Sequence, residues 1–239
     1  MLRQLPNILT GARLVLALAM FLALAAAGDA VPGVGALTSV QGNGLMLFAV
    51  AAFVIAAITD FFDGWAARKF NATSVAGAIM DPIADKILVC GALLGLLALG
   101  ARVVVIPAGL ILFREFAVSA MREVLAPRGL VLPVTFLAKI KTTLQLVAVG
   151  AIMALPAVAG VLHPSSLQAI QTLRDLMLFS YVLLWLAAAV TLWTGAQYAL
   201  AARRALAVQF ILVGLNEATH GFVRASVATP YAAAAKGGN

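Results

Sequence analysis

The stretch that decides the fold is ITDFFDGWAARKFNATSVAGAIMDPIADKILV, residues 58–89. It holds four of the nine acidic residues of a 239-residue chain that is 64% hydrophobic. These four are Asp60, Asp63, Asp81 and Asp85, and long apolar runs lie on either side of them. Because acidic residues at the end of a membrane helix are costly and usually functional, this stretch is the first candidate for a functional site.

The apolar runs around this stretch are typical of a membrane protein rather than a soluble domain. The mean hydropathy is +1.07, only 10% of the residues are charged, and a helix needs roughly 20 apolar residues to cross the hydrocarbon core. We therefore predict an all-α, polytopic fold with six transmembrane helices in residues 1–204, followed by a tail of open order in residues 205–239. The predicted apolar segments are residues 8–27, 45–70, 82–99, 103–124, 135–158 and 173–202.

The first apolar segment allows two interpretations. Its basic start, its apolar core of about 14 residues and its small residues near a possible cleavage point resemble a signal peptide. Asn7, Thr10 and Arg13, however, place polar groups at helical spacing on one end of the segment. That spacing favours a retained membrane helix.

The basic residues are distributed unevenly across the predicted membrane. If the N-terminus is cytoplasmic, the outer side keeps only Arg102 and Arg174 of the 16 Lys and Arg residues. This bias predicts an outer loop at residues 28–44 and an inner face that can meet anionic headgroups or phosphorylated substrates. We expect a protein of the bacterial inner membrane with its active site at the cytoplasmic face. Nucleic-acid binding is not expected without a soluble domain, and the single Cys90 excludes a disulfide framework.

Five residues of the stretch share one side of the predicted second helix. Their positions are i, i+3, i+4, i+7 and i+8, which 100° per residue groups on one face. They are Asp60, Asp63, Gly64, Ala67 and Arg68. The two small residues serve for helix packing or leave room for a nucleotide to approach the backbone, and the sequence leaves both roles open.

Asp81 and Asp85 form an i, i+4 pair at the start of the next predicted helix, one turn after Gly77. A cytoplasmic turn joins the two helices, so we expect the two pairs of carboxylates to face each other. Such carboxylates repel unless a cation lies between them, and their hard oxygens favour Mg²⁺, Mn²⁺ or Ca²⁺ over zinc. Taken alone, Asp81 before Pro82 is better explained as the N-cap of that helix.

Written as spacing, the stretch is D-x2-D-G-x2-A-R-x8-G-x3-D-x3-D, and this pattern resembles the signature of the CDP-alcohol phosphotransferase family. Four flanking segments resemble the phosphatidylglycerophosphate synthase branch of that family: LPNILTGAR, MDPIADK, FREFAVSAMREVLAPRG and LAKIKTTLQLVAV. The likeness runs over residues 5–198. The resemblance implies six transmembrane helices, a two-metal site and, in most members, a homodimer.

The resemblance also implies a reaction between CDP-diacylglycerol and sn-glycerol 3-phosphate that gives phosphatidylglycerophosphate and CMP. The four aspartates would hold two divalent cations, Mg²⁺ or Mn²⁺. Asp85 would act as the general base or, if a bound metal keeps it ionised, would orient the acceptor hydroxyl. The residues implied for binding the CDP-lipid are Gly64, Ala67, Arg68, Gly77, Asn7, Thr10 and Arg13.

The acceptor phosphate requires cations of its own. Arg114 lies in the apolar run LILFREFAV, where a residue that merely anchors a helix in the interface would be badly placed. Arg122 lies eight residues further on the same predicted helix, and Lys139 opens the next one. We predict that these three residues line the acceptor-phosphate pocket. For Lys141 and Arg128, ordinary anchoring on the positive inner side is an equal alternative.

Three other functions remain open from the sequence. A sister enzyme, a cardiolipin or phosphatidylinositol phosphate synthase, would share the metal site and differ in its acceptor. A metal- or proton-coupled transporter would spread acidic residues through the depth of the bilayer, whereas here they are grouped at one face. A purely structural membrane protein would not need eight signature positions in register.

Overall fold

The computed structural model describes the backbone at residues 5–33, 37–70, 75–130 and 136–234, and the side chains at residues 8–33, 37–60, 80, 82–130 and 140–208. Within these ranges the chain is helical and contains no strand, so the all-α prediction is confirmed there. The helices are α1 Leu5–Ala27, α2 Ser39–Phe70, α3 Val75–Ala98, α4 Val105–Leu125, α5 Phe136–Leu162 and α6 Leu167–Ala234.

Five segments are long and apolar enough to cross a membrane: Ile8–Ala27, Ser39–Asp60, Arg102–Arg128, Ile140–Leu162 and Leu167–Val208. Large apolar side chains cover the outside of these helices, as lipid-facing positions require; Phe113, for example, is 75% exposed. The prediction of six spans is confirmed for these five. A sixth span on α3 stays a prediction, because the side chains of α3 are described only at residue 80 and from residue 82 onward.

The predicted start of the third helix is wrong. α3 begins at Val75 rather than near residue 82, so Asp81 is not an N-cap and Pro82 lies inside the helix. The residues before Asp81 read VAGAIM, which is apolar and continues the helix toward its N-terminus.

The sequence left the order of the residues after Arg204 open. α6 continues as a helix to Ala234, well beyond the predicted apolar segment. The last described residues are rich in alanine, which has the highest helix propensity. The predicted domain boundary at residue 204 stays a prediction.

The chain divides into two compact units. Unit 1 comprises Met1–Ala117 and Val134–Thr194, and unit 2 comprises Val118–Pro133 and Gly195–Asn239. α4 and α6 therefore contribute residues to both units. Unit 2 has an apolar cluster of its own, whose buried members are Val118, Leu125, Tyr198 and Ala202.

In unit 1, α1 packs against both α2 and α3. Small buried side chains line these helices, among them Ala17 on α1, Ala52 on α2 and Ala92 on α3. Small residues allow close approach of membrane helices, and one tight position is Gly95, where an added Cβ would lie 2.4 Å from Cδ1 of Leu24. This close packing brings the N-terminal part of α1 to the residues of α2 and α3 described next.

Candidate active site

Asp60 and Asp85 come together on the side chain of Arg13. Nη1 of Arg13 lies 3.0 Å from Oδ1 of Asp60 and 3.0 Å from Oδ1 of Asp85. The arginine side chain is fully buried, whereas the two carboxylates keep 45% and 47% of their side-chain surface exposed. We call these three residues the carboxylate cluster. The structure thus brings together three predicted site residues, one from each of α1, α2 and α3.

Arg13 reaches this position because it belongs to the buried stripe of α1. The stripe has steps of three and four residues, which keep its members on one helix face. Its members are Thr10, Arg13, Ala17, Met20 and Leu24, and each is at most 1% exposed. The apolar members pack in the core of unit 1. The two polar members stand at the N-terminal end of the stripe, where Thr10 lies one turn from Arg13.

The charges of the carboxylate cluster do not balance among its described members. Two carboxylates contact one guanidinium. Because both Oδ1 atoms contact the same Nη1, the two carboxylates lie close to each other. Paired carboxylate oxygens with exposed surface are a donor set that fits a hard divalent cation. Among the described side chains, no group of three or more His, Cys, Asp or Glu residues could hold a metal ion. The other two predicted ligands, Asp63 and Asp81, fall outside those side chains.

Eight predicted site residues lie where the structure does not describe side chains. They are Asn7 on α1, Asp63, Gly64, Ala67 and Arg68 on α2, Gly77 and Asp81 on α3, and Lys139 on α5. Their roles stay predictions.

A second group of charged residues lies in unit 1, on α4 and α5. Nη1 of Arg114 donates a hydrogen bond to Oε1 of Glu115 at 3.1 Å, and Nζ of Lys141 donates to the same oxygen. The side chains of Arg114 and Lys141 are 5% and 8% exposed, and that of Glu115 is 19% exposed. We call Arg114, Glu115 and Lys141 the basic cluster. Two cations share one carboxylate there, so its described members carry a net positive charge.

α6 contributes two buried threonines, one of which contacts the basic cluster. Nη2 of Arg114 donates to Oγ1 of Thr194 at 2.9 Å, and Nε2 of Gln145 donates to Oγ1 of Thr191 at 2.7 Å. Gln145 lies one turn after Lys141 on α5. Polar side chains of α4, α5 and α6 therefore form a set of buried contacts in unit 1, in which Thr194 contacts Arg114 and Thr191 contacts Gln145.

The sequence interpretation included only part of this set. It left the role of Lys141 open between anchoring and the site, and it did not include Glu115, Gln145, Thr191 or Thr194. A signal was present, because Lys141 and Gln145 are four residues apart and Thr191 and Thr194 are three apart. Each pair places polar groups on one face of an otherwise apolar helix, and such faces usually point into the protein.

Arg122, the other described residue of the predicted acceptor pocket, lies in unit 2. Its Nη2 donates to the hydroxyl of Tyr198 at 3.2 Å, and its guanidinium carbon lies 5.1 Å from the centre of that ring. This arrangement is a cation–π contact at an exposed arginine. A pocket shared by Arg114, Arg122 and Lys139 stays a prediction.

Comparisons with known proteins agree on one family. The sequence model of the CDP-alcohol phosphatidyltransferase family matches residues 3–193. The CDP-diacylglycerol–glycerol-3-phosphate 3-phosphatidyltransferase of Rickettsia felis is 36% identical over 196 residues, which cover 82% of this chain and 93% of the relative. Enzymes of the same name are 47% identical over 105 residues in Cereibacter sphaeroides (43% of this chain, 48% of the relative) and 35% identical over 158 residues in Salmonella choleraesuis (63% and 76%).

Proposed function

The chain belongs to the CDP-alcohol phosphatidyltransferase family, and we propose that it transfers the phosphatidyl group of CDP-diacylglycerol to sn-glycerol 3-phosphate, giving phosphatidylglycerophosphate and CMP. The observation that carries the proposal is the carboxylate cluster. The first and last aspartates of the signature, Asp60 and Asp85, lie on different helices and contact one buried guanidinium. The relatives named for this reaction support the choice of substrates.

In the proposed reaction, a hydroxyl oxygen of glycerol 3-phosphate attacks the phosphorus of the phosphatidyl group. The bond from that phosphorus to the bridging oxygen of CMP breaks, and CMP leaves with the electron pair. Asp85 accepts the hydroxyl proton as general base. Arg68 binds a phosphate oxygen of the CDP-lipid, and Arg13 holds the carboxylates of Asp60 and Asp85 toward each other.

Two divalent cations, Mg²⁺ or Mn²⁺, complete the proposal. The residues that would hold them are Asp60, Asp63, Asp81 and Asp85. The described members fit this role because their carboxylate oxygens are close together and partly exposed. When bound, such cations neutralise the charge that develops on the pyrophosphate.

The remaining binding roles belong to other signature residues, to two polar residues of α1 and to basic side chains outside the signature. Gly64, Ala67 and Gly77 leave room for the nucleotide, and Asn7 and Thr10 complete the CDP-lipid pocket. Arg114, Arg122 and Lys139 bind the phosphate of the acceptor. Among these three, Arg114 has the strongest structural support, because it is buried in a cluster with an excess of positive charge.

The experiment that tests the proposed function is an acceptor comparison in membranes that contain the full chain. CDP-diacylglycerol is supplied together with radiolabelled glycerol 3-phosphate, inositol phosphate or phosphatidylglycerol. We expect product formation with glycerol 3-phosphate, loss of activity on chelation of divalent cations, and its return with Mg²⁺ or Mn²⁺. Faster turnover of either other acceptor would assign the chain to a sister enzyme.

The membrane arrangement is part of the proposal. We propose that the N-terminus and the active site face the cytoplasm of the inner membrane, and that the chain forms a homodimer. A reporter enzyme inserted in residues 28–44 should behave as periplasmic, and a cytoplasmic signal would reverse the orientation. Mass measurement of the purified protein in lipid nanodiscs should give two copies, and a single copy would contradict the dimer.

A further inference from the structure

The guanidinium of Arg114 is held by the protein at both of its terminal nitrogens. Nη1 donates to Glu115 at 3.1 Å and Nη2 donates to Thr194 at 2.9 Å, and the side chain is only 5% exposed. A flexible arginine loses considerable rotamer freedom when it binds a ligand. Contacts that order Arg114 before a ligand arrives remove this cost from the binding step.

Thr194 has a defined orientation in this contact. A hydroxyl group has one hydrogen and two lone pairs. Oγ1 of Thr194 donates its hydrogen to the carbonyl oxygen of Thr191 at 3.0 Å, within α6. A lone pair of the same oxygen accepts from Arg114, so the backbone of α6 fixes the direction in which Thr194 holds the guanidinium.

The charge around this contact favours a phosphate. In the basic cluster, two cations, Arg114 and Lys141, lie at the carboxylate of Glu115. Their positive potential attracts an anionic group, and the guanidinium of an arginine matches the geometry of a phosphate. A phosphomonoester of a small alcohol supplies such an anion, whereas a neutral alcohol does not.

We propose that Thr194 is a positioning residue for the acceptor: it fixes the guanidinium of Arg114 in the orientation that binds the phosphate of glycerol 3-phosphate. Glu115 holds the opposite side of the same guanidinium. A guanidinium carries five N–H donors, so one group can contact both the protein and a phosphate. This inference rests on the proposed function, because it takes the acceptor to be a phosphomonoester.

The test compares two threonines that lie three residues apart on α6 and are both fully buried. Thr194→Val keeps the shape of the side chain and removes the hydroxyl that contacts Arg114. We expect the KM for glycerol 3-phosphate to rise about tenfold, the effect of losing one hydrogen bond to a charged group. The KM for CDP-diacylglycerol should change less than twofold. Thr194→Ser, which restores the hydroxyl, should return the KM for glycerol 3-phosphate to within about threefold of the wild-type value.

Thr191→Val is the matched control, because the hydroxyl of Thr191 accepts from Gln145, whereas the hydroxyl of Thr194 accepts from Arg114. It should leave both KM values within about twofold. Equal shifts from Thr191→Val and Thr194→Val, or equal shifts for the two substrates, would reduce Thr194 to a packing role and overturn the inference. If Thr194→Val does not accumulate in membranes, Thr194→Ala is measured in the same way.

The wild-type measurement separates the inference from the proposed function. A wild-type protein that does not use glycerol 3-phosphate overturns the proposed function, and the inference with it. A wild-type protein that uses glycerol 3-phosphate, together with a Thr194→Val variant of unchanged KM, overturns the inference alone.

Discussion

The carboxylate cluster and the basic cluster are built in opposite ways. In the first, the cation of Arg13 lies between the two carboxylates of Asp60 and Asp85. In the second, the carboxylate of Glu115 lies between two cations. The three named residues of the first cluster therefore carry a net negative formal charge, and those of the second cluster carry a net positive formal charge.

The difference indicates which kind of ligand each cluster favours. Pairing keeps charged side chains tolerable among apolar helices, but complete pairing would leave no affinity for a charged ligand. A negative excess fits a divalent cation, and a positive excess fits a phosphate. A single central residue of the opposite sign keeps each cluster together while the ligand is absent. The predictions that follow test whether the two clusters bind different ligands.

The largest effect is expected in the carboxylate cluster. Asp60→Ala and Asp85→Ala should each lower kcat about a hundredfold or more, because positions that hold a charge-stabilising metal contribute several kcal/mol to lowering the barrier. Asp63→Ala and Asp81→Ala should behave in the same way. The measurement is phosphatidyl transfer in membranes with matched amounts of folded protein. Asp85→Asn, which keeps the shape and removes the basic oxygen, should be about as inactive as Asp85→Ala if Asp85 is the base.

Asp175→Ala is the control for these substitutions, since Asp175 is exposed on α6 and outside both clusters. It should keep activity within about twofold. Near-normal turnover in any two of the four aspartate variants would contradict the two-metal proposal and remove the contrast between the clusters.

The sequence predicted the two clusters to different extents for a physical reason. Asp60 and Asp85 belong to one pattern of fixed spacing, in which helix geometry groups the residues of each helix on one face and the predicted turn between the helices brings the two faces together. The contact of Arg13 with both aspartates was not predicted, because no local rule determines the direction that α1 faces. Thr194 and Gln145 were missed for the same reason. Their contacts depend on how α4, α5 and α6 are rotated relative to one another, which only tertiary packing decides.

The fold shows the same division between local and long-range information. The length of the apolar runs predicted five of the observed segments, because the thickness of the hydrocarbon core sets the length that a spanning helix needs. The predicted start of α3 was wrong, because the residues before Asp81 are apolar and continue the helix toward its N-terminus. The sequence left the order of residues 205–239 open, and α6 continues to Ala234, beyond the apolar run used to detect it.

The second prediction concerns the basic cluster. Arg114→Ala should raise the KM for glycerol 3-phosphate by about ten- to a hundredfold, because a buried contact from arginine to phosphate is lost. The KM for CDP-diacylglycerol should stay within about threefold. Arg122→Ala and Lys139→Ala should shift the KM for glycerol 3-phosphate in the same direction.

Arg128→Ala is the comparison for these arginine variants. Arg128 is exposed, and its Nη1 donates to the carbonyl oxygen of Val124, one turn earlier, at 3.4 Å. It should leave the KM for both substrates within about twofold. Equal increases for both substrates in Arg114→Ala would show that the basic cluster supports the fold rather than the acceptor.

The third prediction concerns the removal of the central positive charge of the carboxylate cluster. Arg13→Gln removes the cation shared by Asp60 and Asp85, so the free energy of unfolding in chelator should fall by about 1–2 kcal/mol for these half-exposed partners. Added Mn²⁺ should then raise the melting temperature more in the variant than in the wild type, because the metal supplies the missing positive charge. The readout is thermal unfolding of the purified protein with and without Mn²⁺. An identical metal response in both proteins would mean that Arg13 does not share its carboxylates with the metal.

The smallest effect on the carboxylate cluster is expected from the packing that brings α1 to α3. In Gly95→Ala, the new Cβ would lie 2.4 Å from Cδ1 of Leu24, a fully buried side chain, and such overpacking typically costs about 1–3 kcal/mol. Gly91→Ala, one turn earlier, is the matched control, because its nearest neighbour would be the carbonyl oxygen of Ala17 at an ordinary 3.4 Å. We expect Gly95→Ala to lower the melting temperature and to weaken Mn²⁺ binding about two- to fivefold, with Gly91→Ala close to wild type.

The KM for glycerol 3-phosphate should not change in Gly95→Ala, since the basic cluster lies on α4 and α5. A displaced α1 carries Arg13 away from Asp85, so the substitution acts on the carboxylate cluster through the backbone that positions it. If the KM for glycerol 3-phosphate rose as much as Mn²⁺ binding weakened, the two clusters would respond as a single site. Their opposite charge excesses would then belong to one binding region rather than to two.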